Sequence, residues 1–267
     1  MESTYNISQV RDEISNLTRD SADLRDSIDK LAPQLPSLLI YGGDDGTYSN
    51  LTTNLINLYT GENNTALGRP NYVQKIEGGL IKGVPVYCGG EDDNITPSDK
   101  CFQVGDPINP LATLSVPRTE HSSVVINNDV LFLIGGTTAQ YASTPTDTTE
   151  FYSNDLGVYS GPKLPIFEFR RGCAALIDVN HVIIIGGLIN YFYGSKETWI
   201  LNLSTSTWTK GPDLDTGRDG HACASVNGVV MVTGGQSLAV TYSELLMTAD
   251  PTVWATSKPN SLSHFTQ

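Results

Sequence analysis

Five of the six Gly-Gly pairs in this chain recur at regular intervals: Gly42-Gly43, Gly89-Gly90, Gly135-Gly136, Gly186-Gly187 and Gly234-Gly235. Their first glycines are separated by 47, 46, 51 and 48 residues. Self-similarity at a nearly constant period of this size marks a repeat architecture, in which each unit stacks on the next. Four of the pairs close apolar runs, at residues 38–41, 84–88, 130–134 and 182–185. The fifth closes residues 229–233, which differ only in ending on Thr233. Each run reads as a buried strand that stops where the backbone needs conformations cheap only for glycine.

Around each pair the period unfolds into four strands. An inner strand precedes it, at residues 73–76, 122–126, 174–177 and 222–226. A turn rich in Asn, Asp and Gly (127–129, 178–181, 227–228) leads into the Gly-Gly strand. Beyond a longer insert comes a third strand, at 55–59, 101–104, 149–152, 198–203 and 243–247. A fourth is clearest at 206–210, with weaker counterparts near Tyr159 and Trp254. Gly161-Pro162 and Gly211-Pro212 mark the exits towards the next unit.

Residues 1–33 stand outside this period. Ile7, Val10, Ile14, Leu17, Ser21, Leu24, Ile28 and Leu31 alternate steps of three and four, the a/d seam of a heptad with one polar position. Pro33 and Pro36 end it. A helix is expected here, either self-associating through residues 7–31 or packed on its own domain. The domain expectation is therefore a heptad-patterned helix over 1–33 and a repeat domain over 38–267.

The 267 residues carry a formal net charge of −13, which argues against duplex nucleic acid and anionic membranes, since both reward basic patches. No apolar run approaches the ~20 residues that span a bilayer. The first residues show neither a basic nor an apolar signal region, which read literally expects a cytoplasmic protein. Six Asn-x-Ser/Thr sequons, at Asn6, Asn16, Asn50, Asn63, Asn94 and Asn202, point to the extracellular alternative. Of four cysteines, Cys88 and Cys101 flank a hairpin that can bring them within bridging distance, a pairing open to either state. Cys173 and Cys223 lie inside apolar strands and read as buried small hydrophobes.

Arg118-x-x-His121 and Arg218-x-x-His221 precede inner strands, and each is followed about fifteen residues later by Gly-Gly, then by an aromatic strand. The fullest copy runs Arg218, Gly234-Gly235, Trp254. This pattern resembles the kelch repeat over residues 38–267, and the resemblance implies an all-β propeller of four-stranded blades. The match is uneven: Arg69-Pro70-Asn71-Tyr72 keeps the arginine only, and Arg170-Arg171-Gly172-Cys173 puts cysteine in the histidine place. The run from Tyr87 to Phe102 is also similar to the cysteine-bridged kelch proteins of invertebrates. Five blades are recognisable, so the ring either closes on five or belongs to a truncated array.

In such blades the inserts between second and third strands and the links between blades share one face. Here all the loop length falls there, making that rim the expected binding surface. Arg69, Arg118, Arg170 and Arg218 enter the inner strands on the same face. The resemblance implies contact with an acidic segment of a protein partner, and arginine forks suit carboxylates. The competing reading pairs each arginine with Asp or Glu from its neighbour blade, purely for structure. Tyr141, Tyr191, Tyr193 and Asp92 lie in the same inserts as further partner-binding candidates. His121 and His221 are expected to be structural, bonding neighbouring backbone. No metal-ligand spacing, phosphate loop or nucleophile elbow appears, and the acidic stretches at 44–46 and 91–94 lack a calcium-loop pattern. The expectation is a non-catalytic protein-binding propeller without cofactor. The alternatives are an extracellular glycan- or matrix-associated propeller and a sugar-modifying enzyme.

Overall fold

The computed structural model describes residues 37–41, 53–57, 63–65, 75–92, 94–104, 109–140, 144–189, 193–226, 228–235, 243–247 and 253–256. The chain divides into two compact units, residues 1–40 with 54–66 and residues 41–53 with 67–267. Strands β1 (Ser37–Tyr41), β2 (Thr53–Asn57) and β3 (Asn63–Thr65) form a three-stranded sheet in that order.

The larger unit is all-β and consists of four successive antiparallel sheets of four strands, a four-bladed propeller arrangement. Blade one is β4 (Glu77–Ile81), β5 (Val84–Cys88), β6 (Lys100–Gln103) and β7 (Ala112–Thr113). Blade two is β8 (Ser122–Ile126), β9 (Val130–Ile134), β10 (Thr149–Ser153) and β11 (Gly157–Ser160). Blade three opens with β12 (Cys173–Asp178) and β13 (His181–Ile185). A small hairpin, β14 (Leu188–Ile189) with β15 (Tyr193–Gly194), occupies its insert before β16 (Thr198–Asn202) and β17 (Thr207–Lys210). Blade four is β18 (Ala222–Val226), β19 (Val229–Thr233), β20 (Glu244–Met247) and β21 (Trp254–Thr256). The inner strands pack in the order β4, β8, β12, β18.

Five blades were expected and four are found. Among the described residues the first repeat supplies three strands, β1 to β3, and its sequence carries a heptad pattern where the other repeats carry an inner strand. Gly42, Gly43 and the expected helix over 7–31 lie outside the described residues.

Apolar runs form the second strands because both their faces are covered. In β9, Leu131 and Leu133 pack towards blade one with Ile81, Val86 and Tyr152, whereas Phe132 and Ile134 pack towards blade three with Val182 and Ile184. In β13, Ile183 and Ile185 turn to blade four, against Val230, Val232 and Leu246. In β19 the alternation becomes visible: Val230 and Val232 are buried while Met231 and Thr233 are exposed. That explains the polar end of the fifth run, since the outer face of blade four is uncovered among the described residues.

Both cysteine pairs are bridged. Cys88 and Cys101 are directly opposite on β5 and β6, with Cα atoms 4.0 Å apart. Cys173 and Cys223 join the inner strands β12 and β18, their Cα atoms 6.0 Å apart. This corrects the expectation that the second pair are free apolar residues: adjacent blades bring the inner strands together, a proximity that a separation of 50 residues hides.

Candidate functional site

The Gly-Gly pairs stitch each blade to the next. The second glycine donates its N–H to a carbonyl on the following link: Gly90 to Arg118 (2.9 Å), Gly136 to Phe169 (2.8 Å) and Gly187 to Arg218 (3.0 Å). At Gly89, a Cβ would stand 2.5 Å from the Arg118 carbonyl oxygen and 2.7 Å from His121 Cε1, and φ is +67°, so a side chain is barred twice.

The arginine side chains turn inward. Arg118 donates through Nη1 to the Gly135 carbonyl (2.8 Å) and through Nη2 to Glu150 Oε2 (2.5 Å), with both side chains excluded from solvent. Glu150 also accepts from the Ser115 backbone N–H (2.7 Å) and hydroxyl (2.8 Å). Blade four repeats the device: Arg218 bonds the Gly234 carbonyl (3.1 Å) and Glu244 (2.7 Å), and Glu244 accepts from the Asp215 N–H (2.6 Å). Arg170 is held by Glu168 (2.8 Å) and Glu120 (3.1 Å) and is nearly buried. Each of these three arginines is buried and internally paired; Arg118 and Arg218 find their acid within the blade they enter rather than on the neighbour blade of the competing reading, and Arg170 reaches Glu120 across a blade boundary. Arg69 lies outside the described residues.

Strand pairing also corrects their alignment. Glu77, Ser122, Cys173 and Ala222 each pair with the residue before a Gly-Gly, respectively Cys88, Ile134, Ile185 and Thr233. By that register Phe169, buried in the core, takes the place of Arg118 and Arg218, and Gly172 takes the histidine place. Arg170 and Cys173 each sit one position later. A search for Arg-x-x-His cannot see this, because the third blade substitutes an apolar residue and shifts its cation.

The same register reveals an axial ring absent from the sequence reading. Lys75, Glu120, Arg171 and Gly220 occupy one equivalent position, and all four adopt left-handed backbone, with φ of 52°, 54°, 54° and 59°. For the three non-glycine residues this costs on the order of 1 kcal/mol each. Backbone bonds link successive members, Arg171 N–H to the Glu120 carbonyl (2.8 Å) and Gly220 N–H to the Arg171 carbonyl (2.7 Å). Their side chains cross between blades: Lys75 meets Glu91 (3.0 Å) and Glu120 (3.1 Å), and Arg171 meets Asp219 (3.0 Å).

Together with Glu77, His121, Gly172 and His221, these residues line a cavity of about 490 Å³ at the mouth of the axis. His121 and His221 are 2 % and 8 % exposed, and neither ring nitrogen of His121 has a hydrogen-bond partner among the described residues. Of the expected bonds to neighbouring backbone, one has support, between His221 and the Ile185 carbonyl. Burial, reinforced by Arg118, pushes the His121 pKa down to about 3. Burial and Arg218 push His221 down to about 4, against the opposing influence of the Ile185 carbonyl and Asp219. Both rings are thus neutral at pH 7. Glu77 is pushed up to about 7 by desolvation, which the Ser123 hydroxyl opposes.

Around this mouth lie the inserts. Gln140 of blade two donates to the Asn94 carbonyl (3.2 Å) and Thr96 hydroxyl (3.3 Å) of blade one, so neighbouring inserts touch. Asp92 is exposed and accepts from the Thr96 (2.8 Å) and Asn94 (2.9 Å) N–H groups, shaping its own loop; these bonds, Thr96 foremost, lower its pKa. Tyr193 on β15 is 73 % exposed. Phe167, in the link between blades two and three and passed over in the sequence, is 74 % exposed. Tyr141 and Tyr191 lie outside the described residues.

No metal-binding cluster of His, Cys, Asp or Glu occurs among the described residues. No family model matches the chain, and no curated protein matches it.

Proposed function

We propose that the chain is a non-catalytic, kelch-type binding propeller whose recognition surface is the face carrying the inserts and interblade links. The observation that carries this reading is the pair of large aromatic side chains, Phe167 and Tyr193, left 74 % and 73 % exposed on that face. They sit on loops anchored by buried Arg–Glu pairs, and exposed aromatics on a rigid base are the usual anchors of protein interfaces. With Arg118, Arg170 and Arg218 internal, recognition rests on the inserts and the axial mouth, and an acidic partner segment loses its support from those three.

Affinity capture from the natural source tests this reading. The doubly substituted Phe167→Ala/Tyr193→Ala protein is compared with Leu156→Ala/Val179→Ala, which alters turns on the opposite face. Selective loss of captured protein from the first is expected; equal recovery by both defeats the assignment.

A second reading concerns compartment. Both cysteine pairs are bridged and no free cysteine is left among the described residues, which favours an oxidising environment and an extracellular role. Thiol alkylation and intact mass of natural material under non-reducing conditions test it; alkylation at all four cysteines removes this option.

A further inference from the structure

We propose that the Cys173–Cys223 bridge is a thiol-reducible latch that regulates the recognition face by fixing the blade-three insert that carries Tyr193. This rests on the reading of the insert-and-link face as the recognition surface, and it names what controls one side of that face.

Strand register shows the bridge to be an addition to its seam rather than a requirement of it. Glu77, Ser122 and Cys173 are equivalent on successive inner strands, and Ser123, Ala174 and Cys223 are equivalent one position later on the strands that follow. Between blades one and two, Glu77 meets the Ser123 side chain. Between blades two and three the corresponding residues are Ser122 and Ala174; alanine can form no such tie, and the inner strands still pack. Between blades three and four the same two places hold the disulfide. Its strands, β12 and β18, belong to separate sheets, so no ladder is cut when it opens. Ile183, Ile185, Val230 and Val232 continue to join the two blades by apolar contact, and cysteine thiols sit well in such surroundings.

Access separates the two bridges. Exchange requires a thiolate to reach a sulfur. Cys88 and Cys101 are wholly buried between blades one and two, whereas Cys173 and Cys223 are half-buried between inner strands. A small thiol attacks one sulfur of the half-buried bridge, forms a mixed disulfide and expels the other cysteine, which takes up a proton. A second thiol displaces the mixed disulfide, leaving two cysteine thiols and one oxidised disulfide of the reductant. Glutathione or a small dithiol supplies the two electrons.

The same seam holds the insert. The Gly187 N–H, at the root of the β14–β15 hairpin, donates to the Arg218 carbonyl (3.0 Å), and the Arg218 N–H donates to the Ser195 carbonyl at its end (3.0 Å). Gly217 leaves no room for a side chain beside the Gly194 carbonyl. Nearer the axis, the Gly220 N–H donates to the Arg171 carbonyl (2.7 Å) and Arg171 pairs with Asp219 (3.0 Å). Arg171 and Gly220 closely precede Cys173 and Cys223 in the chain. The bridge thus secures the inner end of a row of contacts whose outer end is the hairpin of Tyr193. Phe167 belongs to the preceding link, which is held in the other seam by the Gly136 N–H to Phe169 carbonyl bond (2.8 Å). Opening the latch therefore loosens Tyr193 and spares Phe167, and a surface that must be ordered on binding binds more weakly.

The experiment exposes the full chain to graded dithiothreitol, alkylates the free thiols and locates them by peptide mass spectrometry. Far-UV ellipticity follows folding and amide hydrogen exchange follows the seam. Cys173 and Cys223 should be alkylated at least about tenfold faster than Cys88 and Cys101, with ellipticity unchanged. The amides of Gly187, Arg218 and Gly220 should then exchange about tenfold faster, those of Gly90 and Gly136 should keep their rates, and reoxidation should restore the bridged pattern. Simultaneous reduction of both bridges, reduction only on unfolding, or unchanged exchange overturns the proposal. As bait for affinity capture from the natural source, Cys173→Ala/Cys223→Ala should recover about fivefold less protein than the unaltered chain. Should that variant not fold, the unaltered chain reduced and alkylated at Cys173 and Cys223 replaces it. Equal recovery while Phe167→Ala/Tyr193→Ala still abolishes capture sinks this inference alone. Full recovery by Phe167→Ala/Tyr193→Ala sinks the recognition face itself.

Discussion

At the scale of single residues, the most consequential groups are buried charges. Arg118 with Glu150 and Arg218 with Glu244 are sealed from water, so removing one partner leaves an uncompensated charge. Glu150→Ala should cost about 3–5 kcal/mol in urea unfolding, whereas Arg118→Met with Glu150→Leu should cost far less. The mouth of the axis makes stability depend on pH in two opposite directions. His121 and His221 titrate in the folded state at about 3 and about 4, below the ordinary 6.5. The stability conferred by keeping them neutral is therefore complete above pH 6.5 and is lost as pH falls towards those values. Glu77 titrates at about 7, above its ordinary 4.5, so its contribution is complete below 4.5 and is lost as pH rises through 7. Denaturant curves at pH 5 and pH 8 should show a relative loss on the order of 3 kcal/mol at the higher pH that Glu77→Gln abolishes. His121→Gln should instead flatten the fall below pH 6.

At the scale of elements, the second strand of each blade does most of the packing, and the glycines after it make the blades contiguous. Two glycines with similar backbone separate conformational strain from crowding. Gly83, in the Lys82-Gly83 turn, has φ +79° and open space around it; Gly136 has φ +93° and would place a Cβ 2.6 Å from the Thr119 carbonyl oxygen. Gly83→Ala should cost about 1 kcal/mol and Gly136→Ala clearly more, measured by the same unfolding titration. The two bridges differ in the same local-versus-tertiary sense. Cys88 and Cys101 fill the cross-strand pair that Thr233 and Ser243 fill with a hydrogen bond of 3.0 Å in blade four, whereas Cys173 and Cys223 tie different blades. The hairpin pair could be entertained from the sequence; the interblade pair could not.

At the scale of the molecule, the heptad over residues 7–31 predicts self-association, and a propeller presented in several copies would gain avidity without new contacts. Deleting residues 1–33 should lower the mass measured by light scattering to that of a monomer; an unchanged oligomer would place the association elsewhere. The sequence by itself determined that sheets repeat, where the second strands lie and where their turns fall, because a strand covered on both faces needs an apolar run and a blade junction needs glycine. Those are demands on a few adjacent residues, and they leave local marks at positions such as 130–136 and 182–187. Only the tertiary structure decided that the larger unit has four blades, that Phe169 stands in an arginine's place, that Glu150 and Glu244 bury the remaining arginines, and that Lys75, Glu120 and Arg171 form one ring. Each of these joins residues some 26 to 50 positions apart or more, and their meeting depends on the register between strands and the packing between blades, which no neighbouring residue encodes.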